Sequence, residues 1–131
     1  SIPFLNLTKH ENMVQNDKNW LNFLETDISS LVDEDQTVFI DITADWCATC
    51  QFNKINVLQS KKIKEAFNKN NVILVRADWT KPSKEIDTFL KKYNRFGIPL
   101  NAFFSPKYPD GLLLSEILSE KQILNSISKI K

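Results

Sequence analysis

The stretch that most constrains this chain is a strand-length run, Val38-Phe39-Ile40-Asp41-Ile42-Thr43-Ala44, that breaks through Asp45-Trp46 into Cys47-Ala48-Thr49-Cys50. β-Branched and aromatic residues favour a pleated strand, and after Cys50 the apolar positions Phe52, Ile55 and Leu58 recur at helical spacing. The two cysteines, which are the only ones in the sequence, therefore lie at a strand-to-helix junction. With the first at a helix N-cap and the second one turn inside, their Cβ atoms come within disulfide range. So small a ring ties no distant parts of the chain together, and redox chemistry explains the pair better than a structural crosslink. At this junction Cys47 lies near the first free helical N–H groups, where the dipole favours an anion and lowers a thiol pKa. A thiolate is the attacking species in disulfide exchange.

Metal and haem readings fit less well. A tetrahedral zinc site needs four ligands, and besides the pair the chain offers only His10, far away in sequence. A c-type haem site needs a histidine directly after the second cysteine, where Gln51 stands.

The remaining sequence alternates strand and helix patterns. Phe4–Thr8 reads as a short edge strand, and Asn16 or Asp17 can cap a helix with Trp20, Leu24, Ile28 and Leu31 on one face. Ser60 opens a short helix with Ile63, Ala66 and Phe67 inward. The continuous apolar run Val72–Ala77 is that of a parallel strand covered on both faces. Thr80 or Ser83 caps a helix whose apolar face is Ile86, Phe89, Leu90 and Tyr93. Leu100–Phe104 and Leu112–Ile117 read as paired strands around a Pro109-Asp110-Gly111 turn. Ser119 with Gln122 resembles a capping box ahead of Ile123, Leu124, Ile127 and Ile130. The order βαβαβαββα predicts a three-layer α/β/α sandwich around one sheet, as a single domain spanning residues 1–131.

Seventeen basic and sixteen acidic residues leave a formal charge of +1, which gives no global field for nucleic acid or an anionic membrane surface. No apolar run is long enough to span a bilayer, so direct membrane insertion by this segment is not expected. The opening Ser1-Ile2-Pro3-Phe4 has neither an initiator Met nor a signal-peptide pattern, which suggests a processed or excised part of a longer chain.

Several motifs carry a family resemblance. Asp45-Trp46-Cys47-Ala48-Thr49-Cys50 after Val38–Ala44, with Gly97-Ile98-Pro99 further on, resembles the active-site region of the thioredoxin superfamily. Ala77-Asp78-Trp79-Thr80, Glu85-Ile86, Gly97–Leu100 and Ser115–Leu118 more narrowly resemble the C-terminal thioredoxin-like domain of DsbD-type transmembrane thiol:disulfide interchange proteins, including their ScsB-like branch. The resemblance runs from about Leu5 to the C-terminus and implies a thioredoxin fold with a central mixed sheet.

The resemblance also implies roles. Cys47 attacks and Cys50 resolves the mixed disulfide. Asp41, expected to be desolvated in a doubly covered sheet, becomes a proton acceptor for Cys50; the alternative is an Asp reaching solvent at the pleat. Pro99 is expected in the cis form beside the cysteines, with the backbone at Ile98 pairing with bound substrate as an added strand. Trp46 serves as a platform for partner proteins, a supporting aromatic, or both. Asp45 opposes the dipole effect at Cys47, and the two terms nearly balance, so the thiol pKa stays open. Lys54 stands where well-studied relatives carry an acid, and reads either as a solvated helix lysine or as a charge near a thiolate. Tyr93, Phe96 and Trp79 fit core or groove packing, and His10 and Met13 carry no chemical signal.

The implied function is a thiol-disulfide reductase without metal or organic cofactor. It would be a monomeric domain, periplasmic and tethered to the inner membrane in its full-length protein. Electrons would come from a dithiol in a membrane domain and pass to a periplasmic acceptor domain. A free-standing disulfide oxidase or isomerase is the same-class alternative, and a non-catalytic thioredoxin-like binding module the different-class one.

Overall fold

The computed structural model describes residues 19–131. Its elements are β1 (Trp20–Asn22), a 3-10 turn (Phe23–Glu25), α1 (Ile28–Asp33), β2 (Thr37–Thr43), α2 (Ala48–Asn53) running into a π-helical turn (Lys54–Leu58), and α3 (Lys61–Lys69). Then follow β3 (Val72–Asp78), α4 (Lys84–Lys92), β4 (Leu100–Ser105), β5 (Tyr108–Leu113) and α5 (Glu120–Ile130). The five strands form one mixed sheet in the order β1-β3-β2-β4-β5. β2 is parallel to β3, and β3 to β1; β4 is antiparallel to β2, and β5 to β4.

Alternation along β2 and β4 divides the interior into two layers. Val38, Ile40, Ile42, Leu100, Ala102 and Phe104 face α1 and α4, which contribute Val32, Ile86 and Leu90. Phe39 and Phe103 face the opposite side, packed with Val57 and Leu58 of the π turn, Ile63 and Phe67 of α3, and Ile123, Ile127 and Ile130 of α5. Phe39 is central there, its ring 4.9 Å from that of Phe103 and 5.2 Å from that of Phe67. The helix starts follow the expected capping chemistry. Ser60, Ser83 and Ser119 each accept the N–H three residues on, so Ser83 and not Thr80 opens α4.

Four expectations are corrected. The long helix through Trp20–Leu31 is instead a strand, a turn and a short helix. Asn22 caps the turn through Leu24 N–H and Asp27 caps α1 through Ser30 N–H, which interrupts the helical stripe. Phe52 and Ile55 are exposed, and Cys50, Asn53, Val57 and Leu58 form the inner face of the helical stretch after Cys47. Pro109-Asp110-Gly111 lies inside β5, and the hairpin turns at Pro106-Lys107 between the paired residues Ser105 and Tyr108. Gly111 is needed for a different reason: at φ +98° a Cβ would stand 2.9 Å from the Phe104 ring. Finally, the second strand of that hairpin ends at Leu113, so Leu114–Ser119 is a loop. The expected strand at Phe4–Thr8 and the cap at Asn16 or Asp17 lie outside the described residues.

Candidate active site

The junction after β2 is built by local turn chemistry. Trp79 N–H donates to Thr43 O at 2.7 Å, which holds the ends of β3 and β2 together, and Cys47 N–H donates to Ala44 O at 3.2 Å to close the turn. Cys47, in extended backbone conformation, is the N-cap of α2; its Sγ accepts the N–H of Cys50 at 3.2 Å. The cysteines form a disulfide with their Cα atoms 5.2 Å apart. Cys47 is 7% exposed and Cys50 2%, so an approaching group meets Cys47 first. Among the described residues, no group of three or more His, Cys, Asp or Glu side chains could hold a metal ion.

Beneath the pair, the face of β2 that carries Phe39 also carries Asp41. Asp41 is 2% exposed, so the alternative of a carboxylate reaching solvent at the pleat does not hold. Strand register sets Arg76 of β3 on one side of it and Asn101 of β4 on the other, forming a polar row across three strands. Asn101 Nδ2 donates to Asp41 Oδ1 at 2.8 Å, and Arg76 Nε lies 3.4 Å from Asp41 Oδ2. Burial pushes the Asp41 carboxyl from 3.8 up to about 6, while the Asn101 amide and the Lys54 ammonium draw it partly back. Lys54 thus acts electrostatically on Asp41 from the start of the π turn. Burial likewise lowers the Arg76 guanidinium to about 10, and the Trp20 ring stacks 3.9 Å from its centre.

The rim is assembled from three loops. Trp46 is 61% exposed, its Nε1 donating to Thr80 O at 3.2 Å and its ring 6.1 Å from Trp79. Thr80 Oγ1 accepts Asp45 N–H at 3.0 Å and donates to Asp78 Oδ1, so the two loops are latched together beside Cys47. On the other side the Ile98–Pro99 peptide bond is cis, as expected. Ile98 packs on Ala44, Cys47 and Cys50, with its carbonyl oxygen 4.0 Å from Cys47 Sγ. Phe96 is 88% exposed and so takes no part in the core; Tyr93 and Trp79 are packed against it.

This arrangement, a helix-capping disulfide with the Ile98 carbonyl oxygen beside Cys47 Sγ, can be opened by an external thiolate and re-formed from the dithiol. A family model described as thioredoxin-like matches residues 19–106. The chain belongs to the thioredoxin-like family. In fold it is similar to the C-terminal domain of DsbD from Neisseria meningitidis in its oxidised form, with a TM-score of 0.62 over 79% of this chain and 90% of that one, at 21% identity. It is also similar to a thioredoxin from Thermus thermophilus, with a TM-score of 0.63 over 86% of this chain and 85% of that one, at 16% identity. In sequence, the thiol:disulfide interchange protein DsbD of Yersinia pestis is 37% identical over 68 residues, which are 51% of this chain and 11% of that protein. The DsbD of Haemophilus influenzae is 30% identical over 66 residues, 50% of this chain and 11% of that protein. The match therefore spans about a tenth of the length of these curated relatives.

Within this thioredoxin-like frame, Cys47, Cys50, Trp46, Ile98 and Pro99 meet at one end of the sheet, with Asp41 buried on the α2 side of β2. Sequence reading missed Arg76, Asn101 and Asn53, and placed Thr80 only as a possible helix cap. A signal for the first two was present: each is the one polar residue inside an apolar strand run, Val72–Ala77 or Leu100–Phe104, where burial demands a partner.

Proposed function

We propose that this chain is a thiol-disulfide oxidoreductase that works mainly as a reductase. The single observation that carries the reading is the Cys47–Cys50 disulfide at the head of α2, on the same side of the sheet as the buried Asp41 carboxyl. The Cys47 thiolate attacks a partner disulfide, forming a Cys47–partner mixed disulfide and releasing the partner's other sulfur as a thiolate. Cys50 then passes its proton to Asp41 and attacks Cys47 Sγ. The Cys47–partner bond breaks, the Cys47–Cys50 bond forms, and the partner leaves as a dithiol, two electrons richer. Asp41 near pKa 6 suits the acceptor role close to neutral pH.

Trp46 and the backbone at Ile98 would receive the partner chain, the first as an aromatic platform and the second as an added-strand contact beside cis Pro99. The sequence likeness to DsbD supports a membrane-domain dithiol as electron donor and a periplasmic redox domain as acceptor, with this domain periplasmic and tethered to the inner membrane. The disulfide itself is the redox group, and the exchange needs no metal or organic cofactor.

Direction is tested by the equilibrium reduction potential of the Cys47/Cys50 pair against a dithiothreitol or glutathione series, read by alkylation and mass. Pairs of this kind range from about −270 mV in thioredoxin to about −120 mV in a strong oxidant. A value in the lower half supports the reductase. A value near the oxidising end assigns the chain to disulfide formation or isomerisation instead.

A further inference from the structure

Asn53 is a buried polar side chain that the exchange steps above do not use. It is the last residue of α2, three positions after Cys50 on the same inner face, and it is 1% exposed. Both ends of its amide reach across the chain to the loop between β5 and α5. Nδ2 donates to Glu116 O at 2.8 Å, and Oδ1 accepts Leu118 N–H at 3.0 Å.

The setting gives this latch a task. α2 has only six residues, too few to hold its own geometry in water. Directly after Asn53 the helix widens into the π turn, closed by Gln59 N–H to Lys54 O at 2.9 Å, so no continuous α-helical rod joins α2 to α3. The first turn of α2 is tied by the Cys47–Cys50 bond, and that bond is open in the dithiol and in every mixed disulfide.

We propose that Asn53 is a positioning residue for disulfide exchange: its bonds to Glu116 and Leu118 keep the Cys50 turn of α2 in attacking position while the Cys47–Cys50 bond is open. The inference rests on the thiol-disulfide exchange reading. Its consequence is confined to one step, the attack of the Cys50 thiolate on Cys47 Sγ that forms the intramolecular disulfide and expels the partner thiolate. The first attack, by Cys47 on an external disulfide, does not draw on the latch. An apolar side chain of equal size at position 53 would leave the Leu118 N–H buried without a partner and remove the bond to Glu116 O.

The probe is 5,5′-dithiobis(2-nitrobenzoate) with the fully reduced protein. Attack by Cys47 releases one coloured thiolate, and resolution by Cys50 releases the second, so the two steps appear as two phases. In Asn53→Leu the second phase slows by about tenfold while the first changes by less than about twofold. An unchanged ratio of the two rates, or a slowed first phase, overturns the proposal. Asn53→Asp, which keeps the acceptor for Leu118 N–H and loses the donor to Glu116 O, gives an intermediate ratio and serves if the leucine variant does not fold. Hydrogen exchange on the unaltered reduced protein is an independent reading. Protection of the Leu118 amide is expected, and exchange at the rate of an exposed loop contradicts the latch. If the unaltered protein never releases the second thiolate, the exchange reading itself fails, which is a different result from an unchanged ratio in the variants.

Discussion

Asn101 Nδ2 lies 2.8 Å from Asp41 Oδ1, and the two residues are register partners on the antiparallel strands β4 and β2. With Arg76 on the far side, this amide fixes the orientation of the one carboxyl buried on the α2 face of β2. The sheet thereby sets where a proton can be stored, and burial sets how strongly it is held.

The raised pKa makes Asp41 a source of pH-dependent stability. Its folded value of about 6 lies above the ordinary 3.8, so the native state binds the proton more tightly than the unfolded chain. That contribution is complete below pH 3.8 and is lost as pH rises through about 6. In the oxidised protein, the stability of Asp41→Asn relative to the unaltered chain should therefore improve by about 2 kcal/mol between pH 4 and pH 7.5. Denaturant titrations at the two pH values read this, and a pH-independent difference would contradict it. Comparing two pH values cancels any fixed cost of leaving Arg76 beside a neutral amide.

The same group predicts a kinetic profile. If Asp41 accepts the Cys50 proton, the resolving step accelerates as pH rises through about 6, and Asp41→Asn removes that rise while slowing the step at neutral pH by about a hundredfold. The second phase of thiolate release, followed from pH 5 to 8, is the check. An identical profile in the variant would dismiss Asp41 as the acceptor.

Trp46→Ala separates docking from chemistry. The side chain is exposed and held by one bond to Thr80 O and contact with Trp79, so stability should fall by no more than about 1 kcal/mol. For a protein disulfide substrate such as insulin, KM should rise several-fold, whereas the reaction with a small aromatic disulfide should be nearly unchanged. Equal losses on both substrates would place Trp46 in the chemistry instead.

Phe39→Ala should cost about 3–5 kcal/mol, because the ring is fully buried between Phe67, Phe103 and Trp20 in the layer beneath α2 and α3. Against a typical total of about 5–15 kcal/mol, that is enough to shift the thermal midpoint markedly. A calorimetric scan showing less than about 1 kcal/mol of loss would mean that this layer repacks freely.

The contrast between Phe39 and Phe52 shows what could be read from the sequence. β2, β3, α4 and α5 were legible because each has one period and a doubly covered strand or a single apolar face. The cysteine pair, cis Pro99 and the buried Asp41 were legible because motif and strand context agreed. Phe52 and Ile55 imitate a core stripe yet are exposed, since the inner face of α2 is set by Cys50 and Asn53 and then rephased by the π turn. Trp20–Leu31 has helical spacing but is broken by side-chain caps at Asn22 and Asp27, which compete locally with a continuous helix. Arg76 and Asn101 stand out locally as lone polar residues in apolar strand runs, but their partner Asp41 is set by strand register, and the partners of Asn53 lie more than sixty residues away, where no local pattern encodes them.

In the proposed exchange Cys47 attacks and Cys50 resolves, and trapping the mixed disulfide tests this order directly. Reduced Cys50→Ser protein is incubated with a disulfide-bonded protein substrate, and the covalent adduct is mapped by peptide mass. A mixed disulfide through Cys47 should accumulate, with no adduct from Cys47→Ser under the same conditions. An adduct carried by Cys50 in Cys47→Ser, or none from either protein, would contradict it.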